Sequence, residues 1–307
     1  MRKTAYIVNS VAAGSSTTGW SVLKQYISNN GRVPTEVMMT GFSGEATHLA
    51  REAVKLGYEM VVAVGGDGTV NEVVNGLYQD GAAVNDGPVL AILPLGSGCD
   101  LARTLRIPGR LPEALKVLET GCTKRVDVGR AEFLNLTGGT ETRLFINIAD
   151  LGGGGLVVQK ANKAPRILGR RPNYLWGIVS AALSYKARAV EVSIDGGTAM
   201  ELCVRNLIIA NGRYFGRGFF PAPGALMDDG LFDIVNVGNF GIVEGLRHVP
   251  KLRRGTHLSL DKVSFFQGRS VKATSEEEVL LEMDGELVGM LPASFEIIPG
   301  AVNLLVS

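Results

Sequence analysis

Met60-Val61-Val62-Ala63-Val64 is an unbroken apolar run, and Gly65-Gly66-Asp67-Gly68-Thr69-Val70-Asn71-Glu72 follows it without a gap. An apolar run without alternation reads as a strand covered on both faces, the kind found in parallel sheets. The glycines impose a tight turn, after which Val70, Val73, Val74 and Leu77 keep helical spacing. A helix is expected from Thr69, with Thr69 and Glu72 forming a T-x-x-E capping box. A strand that runs through a glycine turn into a helix N-terminus offers backbone N–H groups and positive dipole to a phosphate. The plainer alternative is a turn with a good cap. Asp67 favours the functional reading, because an acid there repels phosphate unless a cation or a proton-accepting role explains it.

The same design recurs. Val89–Leu93 is a second apolar run, followed by Leu95-Gly96-Ser97-Gly98-Cys99-Asp100 with Ser97 and Asp100 spaced as a cap, then a short helix. Tyr6–Asn9 is a third strand, leading through a Gly/Ser/Thr-rich turn at Gly14–Gly19 to a helix ending near Gly31. Val33–Thr40 is a strand, and Ser43 can cap a helix carrying Ala46, Leu49, Ala50, Ala53 and Leu56 before Gly57 stops it. Strand–helix units at this interval imply a parallel sheet, whose ligands bind beyond the carboxyl ends of its strands. Three glycine-rich strand ends make a nucleotide site far more probable than any one of them.

After about Asp127 the texture changes. Phe145–Ile148, Val190–Ile194, Leu202–Asn211, Leu231–Val237, Ser264–Phe266, Val279–Met283 and Ser294–Ile298 read as strands, while only 173–186 and 241–253 look helical. The expected fold class is therefore α/β plus β: an N-terminal α/β nucleotide-binding domain and a C-terminal antiparallel β-sandwich domain, with a boundary near residue 128.

Composition narrows the function. The chain has 307 residues, 31 Lys+Arg against 30 Asp+Glu, and a net charge of +1, which argues against a nucleic-acid partner. Cys99, Cys122 and Cys203 form no CxxC pair, so a reducing, cytoplasmic compartment without disulfides or structural zinc is expected. No apolar run approaches the roughly 20 residues of a membrane-spanning helix. The mean hydropathy of +0.17 must come from buried core or from one exposed apolar surface. His48, His248 and His257 lack metal-ligand spacing.

Met283-Asp284-Gly285-Glu286 closes the series. In an extended segment Asp284 and Glu286 point to one side and present a carboxylate pair; an Asp-Gly hairpin turn is the competing reading. Asp228-Asp229-Gly230 carries the same ambiguity, with a cation site as the sharper option.

In this order and spacing, GGDGTVNE, Gly96–Arg103, the Asp228–Leu231 turn and MDGE resemble the diacylglycerol kinase catalytic-domain family, which includes bacterial lipid kinases and the sphingosine and ceramide kinases. The resemblance spans essentially the whole chain. It implies domains at 1–128 and 129–295, residues from about 296 to 307 returning to the first, and a cleft between the two. It also implies an ATP- and Mg²⁺-dependent lipid kinase of phospholipid metabolism, acting on a hydroxyl of diacylglycerol or a related lipid. By the same resemblance, Asn9, Thr40, Gly65, Gly66, Asp67, Gly68, Thr69, Asn71 and Ser97 contact ATP. Asp67 acts through Mg²⁺ within a network including Asp100 and Asp127. Glu286, with Asp284 beside it, is the catalytic base. Asp229 and the carbonyls of Leu226 and Leu231 hold a structural cation. The chain departs from the family at Cys99, where G-T-G-N-D has Asn, and in its first loop, where Ser10 follows Asn9 and one extra residue precedes Gly14.

Two rivals stay open: a superfamily kinase with a soluble substrate such as NAD, and a nucleotide- or lipid-binding regulator of weak activity. Residues 165–188 mix Arg166, Arg170, Arg171, Lys186 and Arg188 with apolar residues, and read equally as a peripheral membrane contact or an ordinary amphipathic helix. The basic stretch Arg247–Arg254 reads as a solvated face. Pairing of strand edges into a homodimer is left open.

Overall fold

A computed structural model describes residues 2–15, 17–29, 35–79, 82–83, 87–96, 98–163 and 185–307. Residues 173–184 of the predicted helix 173–186 and nearly all of the basic segment 165–188 lie outside the described residues, as do Ser97 and the first two positions of the Val33–Thr40 strand; residues 185 and 186 are not helical. The chain divides into two compact units, Met1–Val128 with Pro299–Ser307, and Gly129–Ile298.

The first unit is built on parallel strands. Thr35–Thr40 pairs with Thr4–Asn9, that strand with Met60–Gly65, and Met60–Gly65 with Val89–Pro94, each in parallel register. Every residue of Met60–Gly65 is buried, as an apolar run covered on both faces requires. Leu304, from the returning segment, adds a further parallel pairing opposite Leu90.

Local details depart from the sequence reading for identifiable reasons. The described residues of Gly14–Gly19 are helical rather than a turn, in Ser10–Ser15 and Thr17–Asn29, and the Asn9 carboxamide oxygen caps the first by accepting from Ala12 N–H at 3.0 Å. The next helix, Glu45–Lys55, is preceded by Gly44 at φ 89° rather than capped by Ser43. Its free N–H groups are taken by Glu72 from the neighbouring helix, which accepts from Gly44 at 2.9 Å and Ala46 at 3.1 Å. Glu72 thus leaves no capping box for Thr69, and its own helix starts at Asp67 and runs to Gly76. That pair of helices approaches closely at Gly76, where a Cβ would lie 2.4 Å from the Thr47 carbonyl oxygen.

The pairings described within the second unit are antiparallel. Val263–Gly268, Phe232–Val237, Asn206–Ala210, Ile148–Gly152 and Leu280–Met283 lie side by side in that order. Arg188–Ile194 pairs with Met200–Val204 and with Ser270–Thr274. Phe145 stacks on Phe232 at 5.6 Å and meets Phe295 edge-on at 6.2 Å, in a core completed by Val190, Leu207, Ile234 and Leu281. The expected Leu202–Asn211 strand breaks at Arg205, and Phe145–Ile148 breaks at Ile146 and Asn147. The helix Gly153–Lys163, opening with three glycines, was not legible in the sequence.

Candidate functional site

The glycines of the two strand-end turns are required by proximity. A Cβ on Gly65 would lie 2.4 Å from the Thr69 hydroxyl oxygen, one on Gly66 3.1 Å from the Gly98 carbonyl oxygen, and one on Gly96 2.5 Å from Gly66 Cα. The two turns therefore pack backbone against backbone. They are tied by Leu95 and Gly96 N–H, both of which donate to the Gly65 carbonyl at 3.0 and 3.2 Å.

Asp67 joins the turns a second time. Its carboxylate accepts from Asp100 N–H at 3.0 Å and from Leu101 N–H at 3.2 Å, so it caps the short helix Asp100–Thr104. The residue at the N-cap position, Cys99, supplies no side-chain cap; its thiol donates instead toward the Gly96 carbonyl at 3.5 Å. Burial, with Asp67 next in importance, pushes the Cys99 thiol up to about 12. Asp100 is buried and ion-paired with Arg103. Asp127 is also buried and accepts from Gly300 N–H at 2.7 Å.

The other nucleotide candidates gather on neighbouring strand ends. Asn9 donates through Nδ2 to Thr69 Oγ1 at 3.1 Å, and Thr40 Oγ1 accepts from Ser10 N–H at 3.4 Å. Thr40, Thr69 and Asn71 are buried, and Asn75 holds Asn71 through its carbonyl and its carboxamide oxygen. Gly68 lies in the first turn of the Asp67–Gly76 helix. The structure therefore brings Asn9, Thr69, Asp67 and the two glycine turns together by direct contacts.

In the second unit, Met283-Asp284-Gly285-Glu286 is not extended. Asp284 at φ 49° and Gly285 at φ 93° form a two-residue hairpin turn between Leu280–Met283 and Glu286–Val306, the turn that Asp-Gly favours. The two carboxylates consequently serve different partners. Buried Asp284 accepts from the backbone N–H groups of Ile146 at 2.9 Å, Asn147 at 3.0 Å and Ile148 at 2.9 Å. Those groups are freed by the break between Thr140–Phe145 and Ile148–Gly152, so Asp284 fixes that bend. Glu286 is one-third exposed and ion-paired with Arg143, a partner that no sequence motif marks.

Beneath this hairpin lies an acidic pair that sequence reasoning missed. Glu282 and Asp150 sit opposite each other on adjacent strands, and both are buried. Glu282 accepts from Gly285 N–H, and Asn206 Nδ2 donates to both Asp150 oxygens at 3.0 and 2.7 Å. Burial drives the Asp150 carboxyl up to about 7, against the opposing effect of Asn206. Burial, and then Asp150, raises Glu282 well above the carboxylate range. Gly154 makes room for the pair, since a Cβ there would overlap Asp150 Oδ2 at 1.7 Å.

The Asp228–Leu231 turn has the makings of a hard-cation site. Asp229 Oδ1 accepts from Leu231 N–H at 3.0 Å, and Leu226 is half-exposed. Nearby, Asp233 Oδ2 is buried and has no hydrogen-bond partner among the described residues. Burial raises the Asp233 carboxyl, with Asp229 adding repulsion, and a cation would relieve both effects. Among the described residues no cluster of three His, Cys, Asp or Glu side chains stands ready for a metal. A cation at either place must draw on backbone, phosphate or water oxygens as well.

Residues 3–131 match the model of the diacylglycerol kinase catalytic domain, and residues 149–306 match that of the YegS C-terminal NAD kinase beta sandwich-like domain. The chain is 31% identical over 268 residues to the diacylglycerol kinase of Bacillus subtilis, covering 85% of this chain and 82% of that protein. It is likewise 31% identical over 267 residues to the diacylglycerol kinase of Staphylococcus haemolyticus, covering 85% of this chain and 75% of the relative. A crystal structure of a Bacillus anthracis protein provisionally named as a diacylglycerol kinase superposes with a TM-score of 0.77 at 26% identity, over 99% of this chain and 95% of that one.

Proposed function

Because the chain belongs to the diacylglycerol kinase family and is a lipid kinase, we propose that it transfers the γ-phosphoryl group of ATP, with Mg²⁺, to a hydroxyl of diacylglycerol or a closely related lipid. The observation that carries this reading is the pair of glycine turns in backbone contact with Asp67 bridging them. Glycine turns leave room for a phosphate to approach backbone, and the N-terminus of the Asp67–Gly76 helix offers N–H groups and positive dipole to it. Asn9, Thr40, Gly65, Gly66, Gly68, Thr69, Asn71 and Ser97 are the nucleotide contacts in this reading.

Asp67 fits a Mg²⁺-linked role. Its carboxylate is a hard oxygen donor of the kind Mg²⁺ takes, and it lies where the two glycine turns meet, capping the Asp100–Thr104 helix. Bound Mg²⁺ would supply charge neutralisation at the β- and γ-phosphate oxygens. Asp229, with the carbonyls of Leu226 and Leu231, would hold a separate structural cation, a role supported by the orphaned Asp233 oxygen.

On the acceptor side, Glu286 takes the proton from the lipid hydroxyl as its oxygen forms the bond to the γ-phosphorus and the bond to ADP breaks. Arg143 orients Glu286. Asp284 acts as a positioning residue, because its buried carboxylate accepts from three backbone N–H groups and so holds the 146–148 bend.

The test is Mg²⁺-dependent transfer of labelled γ-phosphate from ATP into micellar diacylglycerol, phosphatidylglycerol, sphingosine and ceramide. Diacylglycerol should be labelled, and Glu286→Gln and Asp67→Ala should each lower the rate by roughly 100-fold or more. ATP binding without labelling of any lipid would favour the regulator, and labelling of NAD would favour the soluble-substrate kinase.

A further inference from the structure

The helix Ile242–Arg254 has no buried residue. It nevertheless keeps one side on its own unit: Phe220 N–H donates to the Leu252 carbonyl at 3.2 Å, His248 meets Phe240 edge-on at 5.7 Å, and Glu244 pairs with Lys262. At roughly 100° per residue, the opposite arc carries Ile242, Arg253, Leu246, Pro250 and Val243 in succession, with the Arg253 guanidinium drawn onto the Phe219 ring. Val243 and Leu246 are 62% and 63% exposed, and Ile242 is 41% exposed. These are the most exposed apolar side chains of any helix beyond residue 60 among the described residues.

The charge on this helix is equally one-sided. Arg247, Lys251, Arg253 and Arg254 face a single acid, Glu244, for a net +3 on thirteen residues of a chain whose total is +1. Glu244 is turned to Lys262, and the Arg253 guanidinium lies 4.9 Å over the Phe219 ring. Arg247, Lys251 and Arg254 take part in none of the ion pairs among the described residues; Arg254 and Arg247 border the apolar arc on its Val243 edge, with Lys251 beyond them. An outward apolar stripe bordered by cations, on a helix of low overall hydrophobicity, matches a surface that lies in the headgroup layer of an anionic bilayer. The apolar side chains reach the acyl boundary, while the Arg and Lys stems extend along it and keep their charges at the phosphates.

We infer that the outer face of Ile242–Arg254 is the surface by which this protein docks on anionic lipid membranes. The inference rests on the reading that the acceptor is a lipid, and it replaces the expectation that Arg247–Arg254 is merely solvated. A bilayer with about 1 kcal/mol per basic residue near an anionic surface gives about five-fold in partitioning for each charge, so three give on the order of 100-fold.

The experiment is co-sedimentation of the full chain with vesicles of phosphatidylcholine alone or mixed with phosphatidylglycerol. It compares wild type, Val243→Ser/Leu246→Ser and Arg247→Gln/Lys251→Gln/Arg254→Gln. All five side chains are exposed, so melting temperatures should agree across the set. Wild type should bind the mixed vesicles and release in high salt; each variant should bind on the order of 100-fold less tightly. Phosphorylation of a short-chain, water-dispersed diacylglycerol should be unchanged in both variants. Failure of wild type to bind, or wild-type binding by both variants, overturns the inference. So does concentration-dependent self-association lost with Leu246→Ser in the absence of vesicle binding, which would assign the face to a second copy. Absence of kinase activity with intact, variant-sensitive vesicle binding would instead overturn the lipid kinase reading alone.

Discussion

Replacing Asp284 by Asn separates architecture from chemistry at the MDGE hairpin. Asp284 Oδ1 accepts from Asn147 and Ile148 N–H, and Oδ2 accepts from Ile146 N–H. In Asp284→Asn the cheapest orientation leaves the amide oxygen on the first pair and turns the NH₂ group toward Ile146 N–H. A buried N–H without an acceptor costs about 1–3 kcal/mol, and the two remaining bonds lose their charge assistance at about 1 kcal/mol each. Asn tolerates the left-handed φ of 49°, so backbone strain adds little. The expected destabilisation is about 3–5 kcal/mol, read by urea unfolding at neutral pH. Asp284→Ala should cost more, because it loses all three bonds and adds left-handed strain. Glu286→Gln is the contrast: its partly exposed ion pair with Arg143 is worth about 0–1 kcal/mol, so stability should hold while phosphoryl transfer fails. A loss below about 1 kcal/mol for Asp284→Asn would refute the assignment of Asp284 as the clamp of the 146–148 bend.

Gly96→Ala should destabilise the first unit by about 2 kcal/mol or more and weaken ATP binding, since its Cβ meets the Gly66 backbone at 2.5 Å; calorimetric titration and thermal unfolding read both. Asp150 holds its proton more tightly folded (about 7) than unfolded (3.8), so its contribution to stability is complete below about pH 4 and lost as pH rises through 7. Urea unfolding across that range should show Asp150→Asn gaining on wild type with rising pH, and parallel curves would contradict it. With its thiol held near 12, Cys99 should resist alkylation at pH 8 in the folded protein, while exposed Cys122 and Cys203 react; peptide mapping after brief iodoacetamide treatment distinguishes them.

Runs whose residues are buried by their immediate neighbours were legible. The apolar runs Met60–Val64 and Val89–Leu93 appear as the strands Met60–Gly65 and Val89–Pro94, and the helix expected at 241–253 as Ile242–Arg254. What escaped depends on partners distant in sequence. Glu72 fits a capping box locally, yet Gly44 and Ala46 claim its carboxylate. Three glycines argue against a helix at Gly153–Lys163, but Gly154 and Gly155 are required by Asp150 and Leu280, whose atoms would meet a Cβ at 1.7 and 2.7 Å. Asp150 and Glu282 did leave a trace: each is a lone acid inside an otherwise apolar strand, Ile148–Leu151 and Leu280–Met283. Arg143, by contrast, is one basic residue among many until the fold sets it against Glu286.

The return of Pro299–Ser307 to the first unit carries a consequence for how the protein is made. Leu304 pairs with Leu90, the Ala301 carbonyl accepts from the Tyr78 hydroxyl at 2.6 Å, and Arg125 donates to the Gly300 carbonyl at 3.0 Å. Buried Val302, Leu304 and Leu305 join the same core. Synthesis ordinarily lets an N-terminal domain mature while the rest is still being translated. Here the half that comes off the ribosome first waits for Pro299–Ser307, and until that segment arrives its greasy sheet edge is a client for chaperones.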